Sequence, residues 1–182
     1  MNIFIISYGR TGGTTFGKWL SLELGRRYIQ EPFNQNHKEL YKNIDYSQNK
    51  FVIKLEPEQI DLIKTDKKTI GLIRENTMDC AISHLAATYS NSWHSPYMVS
   101  NDWIESNKFE LLKMESRIEE QNNKIKKMNY DILLTYENLY DTKSDFYKIC
   151  DFFNIKNPKY KHLMDSKMKY RTFNKISKKN II

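Results

Sequence analysis

Two clusters in this sequence have residue types and spacings that suit holding a phosphorylated ligand. The first is Tyr8 to Thr15, YGRTGGTT, which follows the apolar run Asn2 to Ser7 and precedes a helix-like stretch. Glycines let the backbone turn its N–H groups inward around a phosphate. The hydroxyls of Thr11, Thr14 and Thr15 add donors, and the following helix presents its positive end. Arg10 sets a cation beside that nest. A lone glycine pair is as often a plain turn; its place between strand and helix favours phosphate. The second cluster is Leu72 to Ser83, LIRENTMDCAIS. An Arg at a strand's carboxyl end, Arg74, can grip a phosphate dianion bidentately while the Ser83 hydroxyl closes the far side. Taken singly, Arg74 reads as an ion-pair partner of Glu75 or Asp79, and Ser83 as an ordinary helix residue.

Gly12 to Lys18 also matches most of a nucleotide triphosphatase P-loop, but Trp19 stands where that motif needs a Ser or Thr hydroxyl for magnesium. The apolar runs continue as VIKLEP, IGLIRE and ILLTYE, none with a metal-holding Asp. A P-loop NTPase or small-molecule kinase would lack both halves of its metal site and ranks second.

With that machinery missing, Arg10-Thr11-Gly12-Gly13-Thr14 resembles the 5′-phosphosulfate loop of the sulfotransferases, a basic residue, a hydroxyl residue, Gly and two more hydroxyl residues. Gly13 departs from it, standing where Ser or Thr is usual, with Thr15 as a substitute donor. Arg74 and Ser83, nine positions apart, resemble the family's 3′-phosphate pair. Their spacing suits the bacterial carbohydrate branch, of the trehalose and Nod-factor kind. Glu31-Pro32-Phe33, Trp93-His94 and Thr135 to Leu139 (TYENL) are similar to further elements of that family, so the likeness runs from about Phe4 to Phe153. It implies 3′-phosphoadenosine 5′-phosphosulfate (PAPS) as sulfuryl donor and an acceptor hydroxyl, on a carbohydrate or glycolipid. Adenosine 3′,5′-bisphosphate (PAP) would be released. A sulfuryl group carries one negative charge less than a phosphoryl and can do without a metal clamp, so no metal is expected.

Positioning and electrostatics should dominate such a transfer. Glu31, at a strand end where ligands gather in open α/β sheets, is the expected base, in a reading that sets the second strand beside the first. An exposed Glu before a proline is nearly as good a description of it. Lys54 ends its strand on the same side and could touch the sulfuryl group, or could equally snorkel into solvent. The histidines are the alternative bases: His37 in a polar, helix-like stretch and read as solvent-exposed, His84 read as pointing away from Ser83, His94 in a long loop, and His162 in the basic tail. Arg171 is the best tail candidate for closing on the 3′-phosphate, Lys18 reads as solvated, and Glu137 as a helix N-terminal acidic turn.

The elements that must position these residues alternate. Strands are expected at Asn2–Ser7, Arg27–Gln30, Phe51–Leu55, Thr69–Ile73 and Tyr130–Thr135. Helices are expected near Phe16–Leu24, Pro57–Lys64, Met78–Tyr89, Phe109–Met128 and Lys143–Phe153. That order predicts an α/β fold: a P-loop-like three-layer domain with a mostly parallel central sheet flanked by helices. Residues 91–107 form a long polar and aromatic connection, read as either a substrate-facing loop or a surface excursion. The Leu111, Met114, Ile118, Ile125 and Met128 stripe, broken by Gln121, reads as packing onto the sheet; a homodimer seam is the alternative.

One domain over 1–182 is expected, with a basic segment from about 159. The chain carries a net charge of +7 and only six glycines. Its lysines are spread along the sequence, as on a solvated surface that also attracts anionic ligands. A non-catalytic nucleic-acid module is the third reading, weakened by the lack of interleaved basic and aromatic motifs. Cys80 and Cys150 form no CxxC and read as buried thiols in a reducing compartment. No signal-like segment is seen and apolar runs stop far short of the ~20 residues of a membrane span. A cytoplasmic protein with a small-molecule or glycan acceptor and no nucleic-acid partner is the expectation.

Overall fold

The computed structural model describes residues 1–48, 50–91, 93, 99–159 and 163. Its centre is a five-stranded, wholly parallel sheet of β1 (Asn2–Ile6), β2 (Arg27–Gln30), β3 (Phe51–Leu55), β4 (Lys67–Ile73) and β5 (Ile132–Thr135), in the order β2-β3-β1-β4-β5. The expected α/β architecture with a parallel sheet between helices is what forms. One neighbour differs: β2 pairs with β3, and β3 separates it from β1. The first crossover therefore skips a strand position that β3 fills later.

The sheet is buried on both faces, which is why its strands read as apolar runs rather than alternating ones. Successive side chains still point to opposite faces. Ile3 and Ile5 pack with Phe16, Trp19 and Leu20 of helix α1 (Gly13–Glu23). Phe4 and Ile6 join Ile53, Leu55 and Ile125 on the other face. Burying each such side chain is worth about 1.5–3 kcal/mol.

Two short helices were not among the expected elements: α2 (Lys38–Tyr41), in the stretch read as polar and helix-like, and α4 (Asn101–Ser106), inside the 91–107 connection. Helix α3 (Thr77–Ser90) starts on Asn76, whose side chain accepts from the Asp79 amide at 3.2 Å. Helix α5 (Lys108–Lys127) packs mainly against α3, with Leu111 and Ile118 in that seam and Ile125 reaching the sheet. The 57–64 segment is a 3₁₀ turn, Pro57–Leu62. Helices α6 (Tyr136–Tyr140) and α7 (Ser144–Phe153) close the described fold. Both cysteines are buried free thiols. No helix among the described residues is long and apolar enough to cross a membrane.

Candidate active site at the carboxyl ends of the strands

Parallel strands deliver their carboxyl ends to one edge, and the candidate residues lie there. After β1 the chain forms the loop 8–12, and Gly12, with φ 82°, caps α1 in the left-handed region. A Cβ on Gly12 would stand 2.8 Å from Tyr140 and 3.0 Å from Tyr136, so the position is closed to other residues on two counts. Thr11 is fully buried, and its hydroxyl donates to the Tyr8 carbonyl at 2.8 Å. It shapes the loop. Thr14 and Thr15 stand half-buried in the first turn of α1, where the backbone amides have no intrahelical acceptor.

Arg10 joins the two sequence clusters. Its Nε donates to Ser83 Oγ at 2.9 Å and its Nη1 to the Trp93 carbonyl at 2.5 Å. Arg74 donates from Nη1 to the Arg10 carbonyl at 3.4 Å and lies 3.8 Å from Asp79 Oδ2. Its guanidinium stacks on the Tyr136 ring at 4.3 Å. The Arg74 Nε is buried without a hydrogen-bond partner among the described residues. Burial raises the Asp79 carboxyl above the ordinary range, and Arg74 partly offsets this.

On the other side of β1, Glu31 and Lys54 form an ion pair, with their side chains 13% and 4% exposed. Lys54 thus does not snorkel into solvent. Sequence reasoning set β2 beside β1, which would have turned Glu31 directly toward the loop. The register Gln30↔Lys54 instead brings Glu31 one residue beyond the partner of Lys54, and its amide donates to the Lys54 carbonyl at 2.9 Å. Contact with the loop passes through Lys54, whose Cε would lie 3.1 Å from a Cβ on Gly13. Arg10 and Glu31 share a backbone peculiarity, φ of 64° and 43°. Left-handed geometry at non-glycine residues is uncommon and gathers at functional sites.

His84 has surroundings the sequence reading did not supply. It stacks on Tyr8 at a centroid distance of 5.8 Å, meets Trp93 edge-on at 5.2 Å, and so turns toward the loop. Burial, then the Arg10 and Arg117 charges, lower its pKa to about 4, so the imidazole is neutral at pH 7. His37 is half-buried against Tyr41, away from solvent-facing expectation. Lys18 is exposed, as read. Trp19 is buried in the core beside Phe16 and Phe146. His94, His162 and Arg171 lie outside the described residues.

Four contributors escaped the sequence reading. Glu56, just past β3, has its carboxyl pKa raised by burial and then by Glu31, while Lys54 opposes this. Its position after an apolar strand was a usable signal. Tyr140 donates its hydroxyl to the Gly12 carbonyl at 2.9 Å, and Tyr136 underlies Arg74, so α6 braces both phosphate-type clusters. Asn122 of α5, buried, donates to the Arg74 carbonyl at 2.8 Å. Gln121 and Asn122 interrupt the apolar stripe, and the second at least is polar for this reason. Glu137 is the expected acidic turn, and its carboxylate accepts the Glu75 and Asn76 amides, each at 3.0 Å, fixing the turn after β4.

No family model and no curated protein sequence matches the chain. Among solved structures, it is similar to a sulfotransferase from Alicyclobacillus acidocaldarius, at TM-score 0.52 and 11% identity, over 98% of this chain and 87% of that one. A mouse sulfotransferase complexed with PAP matches at TM-score 0.47 and 18% identity, over 92% of this chain. A retinol dehydratase in complex with retinol and PAP matches at 0.47 and 17%, over 91%. This chain spans only 64% and 63% of those two. The first likeness carries the fold: a five-stranded parallel α/β sheet flanked by helices, as in sulfotransferases.

Proposed function

We propose that the chain transfers a sulfuryl group from PAPS to an acceptor hydroxyl and releases PAP. The observation that carries this reading is the contact of Arg10 with Ser83, 73 residues away, with Arg74 beside them. Two motifs that suit the two phosphate positions of one nucleotide meet at one sheet edge. The residues fit such a ligand: the cradle is lined by glycines and by first-turn amides that have no intrahelical acceptor, and the buried Arg74 Nε lacks an acceptor among the described residues. The 5′-phosphosulfate would lie on Arg10, Gly12, Gly13, Thr14 and Thr15, and the 3′-phosphate on Arg74 and Ser83, with Arg171 closing over it. The sulfotransferase fold supports the reading at the level of architecture.

In the transfer, the acceptor oxygen bonds to sulfur as the sulfur–oxygen bond to the 5′-phosphate breaks, its electron pair leaving on PAP. The acceptor proton goes to the Glu31 carboxylate. Neutralising Glu31 frees the Lys54 ammonium from its partner, so a cation becomes available as charge develops on the leaving oxygen. Arg10 supplies the fixed charge on the other side. A carbohydrate or glycolipid hydroxyl is the proposed acceptor. The Tyr8, His84 and Trp93 rings beside Arg10 support a small-molecule pocket, apolar with few polar groups. The reaction is proposed to be cytoplasmic and metal-independent, since Trp19 occupies the hydroxyl position of a magnesium-binding loop.

Melting with PAP and with adenosine 5′-monophosphate tests the reading. PAP at a hundredfold excess over its Kd should add ~2.7 kcal/mol of stability, and the monophosphate far less. Sulfate transfer from labelled PAPS to a sugar panel should proceed in EDTA. Equal shifts from the two nucleotides, or a PAP shift that survives Arg74→Ala unchanged, would overturn it.

A further inference from the structure

We infer that Ser7 donates the hydroxyl that Gly13 lacks, to a 5′-phosphate oxygen held in the loop; this rests on the reading of the loop as a phosphosulfate site. Ser7 follows β1, and its amide donates to the Leu55 carbonyl at 3.0 Å, which locks its backbone between β3 and the loop. The residue is 0% exposed, yet its Oγ has no hydrogen-bond partner among the described residues. Buried hydroxyls are nearly always paired, so an orphan points to a partner that arrives with a ligand.

Its placement says which ligand. A Cβ on Gly13 would collide with Ser7 Oγ, and would lie 3.2 Å from Ser7 Cβ and 3.1 Å from Lys54 Cε. The space that a Ser or Thr side chain at position 13 would use is therefore already held by a hydroxyl, delivered from the strand instead of from the loop. Gly13 opens α1, whose first-turn amides have no intrahelical acceptor. Amide donors, the Ser7 hydroxyl and the Lys54 stem meet at that point, a set complementary to an anion. Ser7 and Gly13 form one unit, in which each requires the other.

The test titrates PAP into wild type, Ser7→Ala, Gly13→Ser and the double variant Ser7→Gly with Gly13→Ser, and melts each without ligand. Ser7→Ala should weaken PAP about tenfold, the size expected for a hydrogen bond to a charged oxygen. Its ligand-free melting temperature should stay level or rise, because an unpaired buried hydroxyl has been removed. Gly13→Ser should lose more affinity, and the double variant, with the hydroxyl moved into the loop, should recover to within about threefold of wild type. Unchanged PAP affinity in Ser7→Ala overturns the inference, as does a melting temperature that falls with it. A double variant no better than Gly13→Ser overturns the exchange. If wild type binds no PAP, the sulfotransferase reading fails by itself, and the same proteins are titrated with inorganic pyrophosphate. A tenfold loss in Ser7→Ala then upholds the hydroxyl's role. Equal affinities, or no binding by wild type, overturn it.

Discussion

The two sides of β1 are built differently. Toward β4, Arg10, Ser83 and Arg74 are tied to one another and braced from outside by Tyr136, Tyr140, Glu137 and Asn122. Each brace comes from an element remote in sequence, so the side of the site proposed for the donor is held rigid before any ligand arrives. Toward β3 and β2 there is one buried ion pair, Lys54 with Glu31, at the end of the edge strand β2. Removing one partner of such a pair leaves a buried charge and costs far more than the pair contributes. On the proposed function the contrast is a division of labour: fixed donors for a dianion on one side, and on the other a charge that can be neutralised by a proton.

The largest expected effect breaks that division. Glu31→Gln should slow sulfate transfer by ~10²–10⁴, the usual loss for a general base, and leave PAP affinity near wild type. Arg10→Ala should weaken PAP binding and turnover together, because Arg10 belongs to the donor side. Titration with PAP beside transfer from labelled PAPS reads both. If Glu31→Gln transfers at the wild-type rate on a working acceptor, Glu31 is not the base, and the half-buried Glu56 and His84 become the residues to change.

The same contrast explains what was legible in the sequence. The side toward β4 is written in two continuous segments, 8–15 and 72–83, each a strand, turn and helix. The family resemblance carried by these two segments named Arg10, Arg74 and Ser83 as a group, and the fold brings them together. The Glu31–Lys54 pair depends on which strands are neighbours. That is decided by crossovers of whole elements, and no local pattern in RYIQEPF or FVIKLEP reveals it. The surroundings of His84 were illegible for a related reason. Helical spacing puts it off the Ser83 face, but Tyr8 and Trp93, from two other segments, fold over that second face. The braces from Tyr140 and Asn122 were invisible because a buried polar contact leaves no periodicity; a polar pair inside the apolar stripe of α5 was the only hint.

His84, packed against Tyr8 and Trp93 beside Arg10, sharpens the comparison through pH. Its folded-state pKa, about 4, lies below the ordinary 6.5 of the unfolded chain. Between these values the unfolded state binds more protons, so stability falls as pH drops from about 6.5 toward 4. The contribution is at most ~3.5 kcal/mol, from ~1.4 kcal/mol per pKa unit, and less because the ring is only half-buried. Glu56 and Asp79, both held above the ordinary range, act in the opposite sense. His84→Phe keeps the ring on Tyr8 and isolates the histidine. Urea melts at pH 7 and pH 4.5 should show wild type losing more stability than the variant, with the variants' difference confined to the acid side. Equal losses would mean that the imidazole is not buried against the loop as described.

The smallest effect concerns the brace itself. Tyr140→Phe removes one hydroxyl and its hydrogen bond to the Gly12 carbonyl, while the ring stays in the core. That carbonyl also accepts from the Phe16 amide at 3.0 Å, so it is not left unpaired. The cost should therefore be that of a single ordinary hydrogen bond, about 1 kcal/mol, or a melting temperature lower by ~2–4 °C for a chain of this size. PAP affinity should fall less than fivefold, because the glycine geometry at position 12 is still imposed by the Tyr136 and Tyr140 rings. A Tyr140→Phe variant that loses PAP as completely as Arg10→Ala would show that the side toward β4 is not rigid in its own right. The loop would then be held open by this one bond, and the distinction between a fixed donor side and a movable base side would fail.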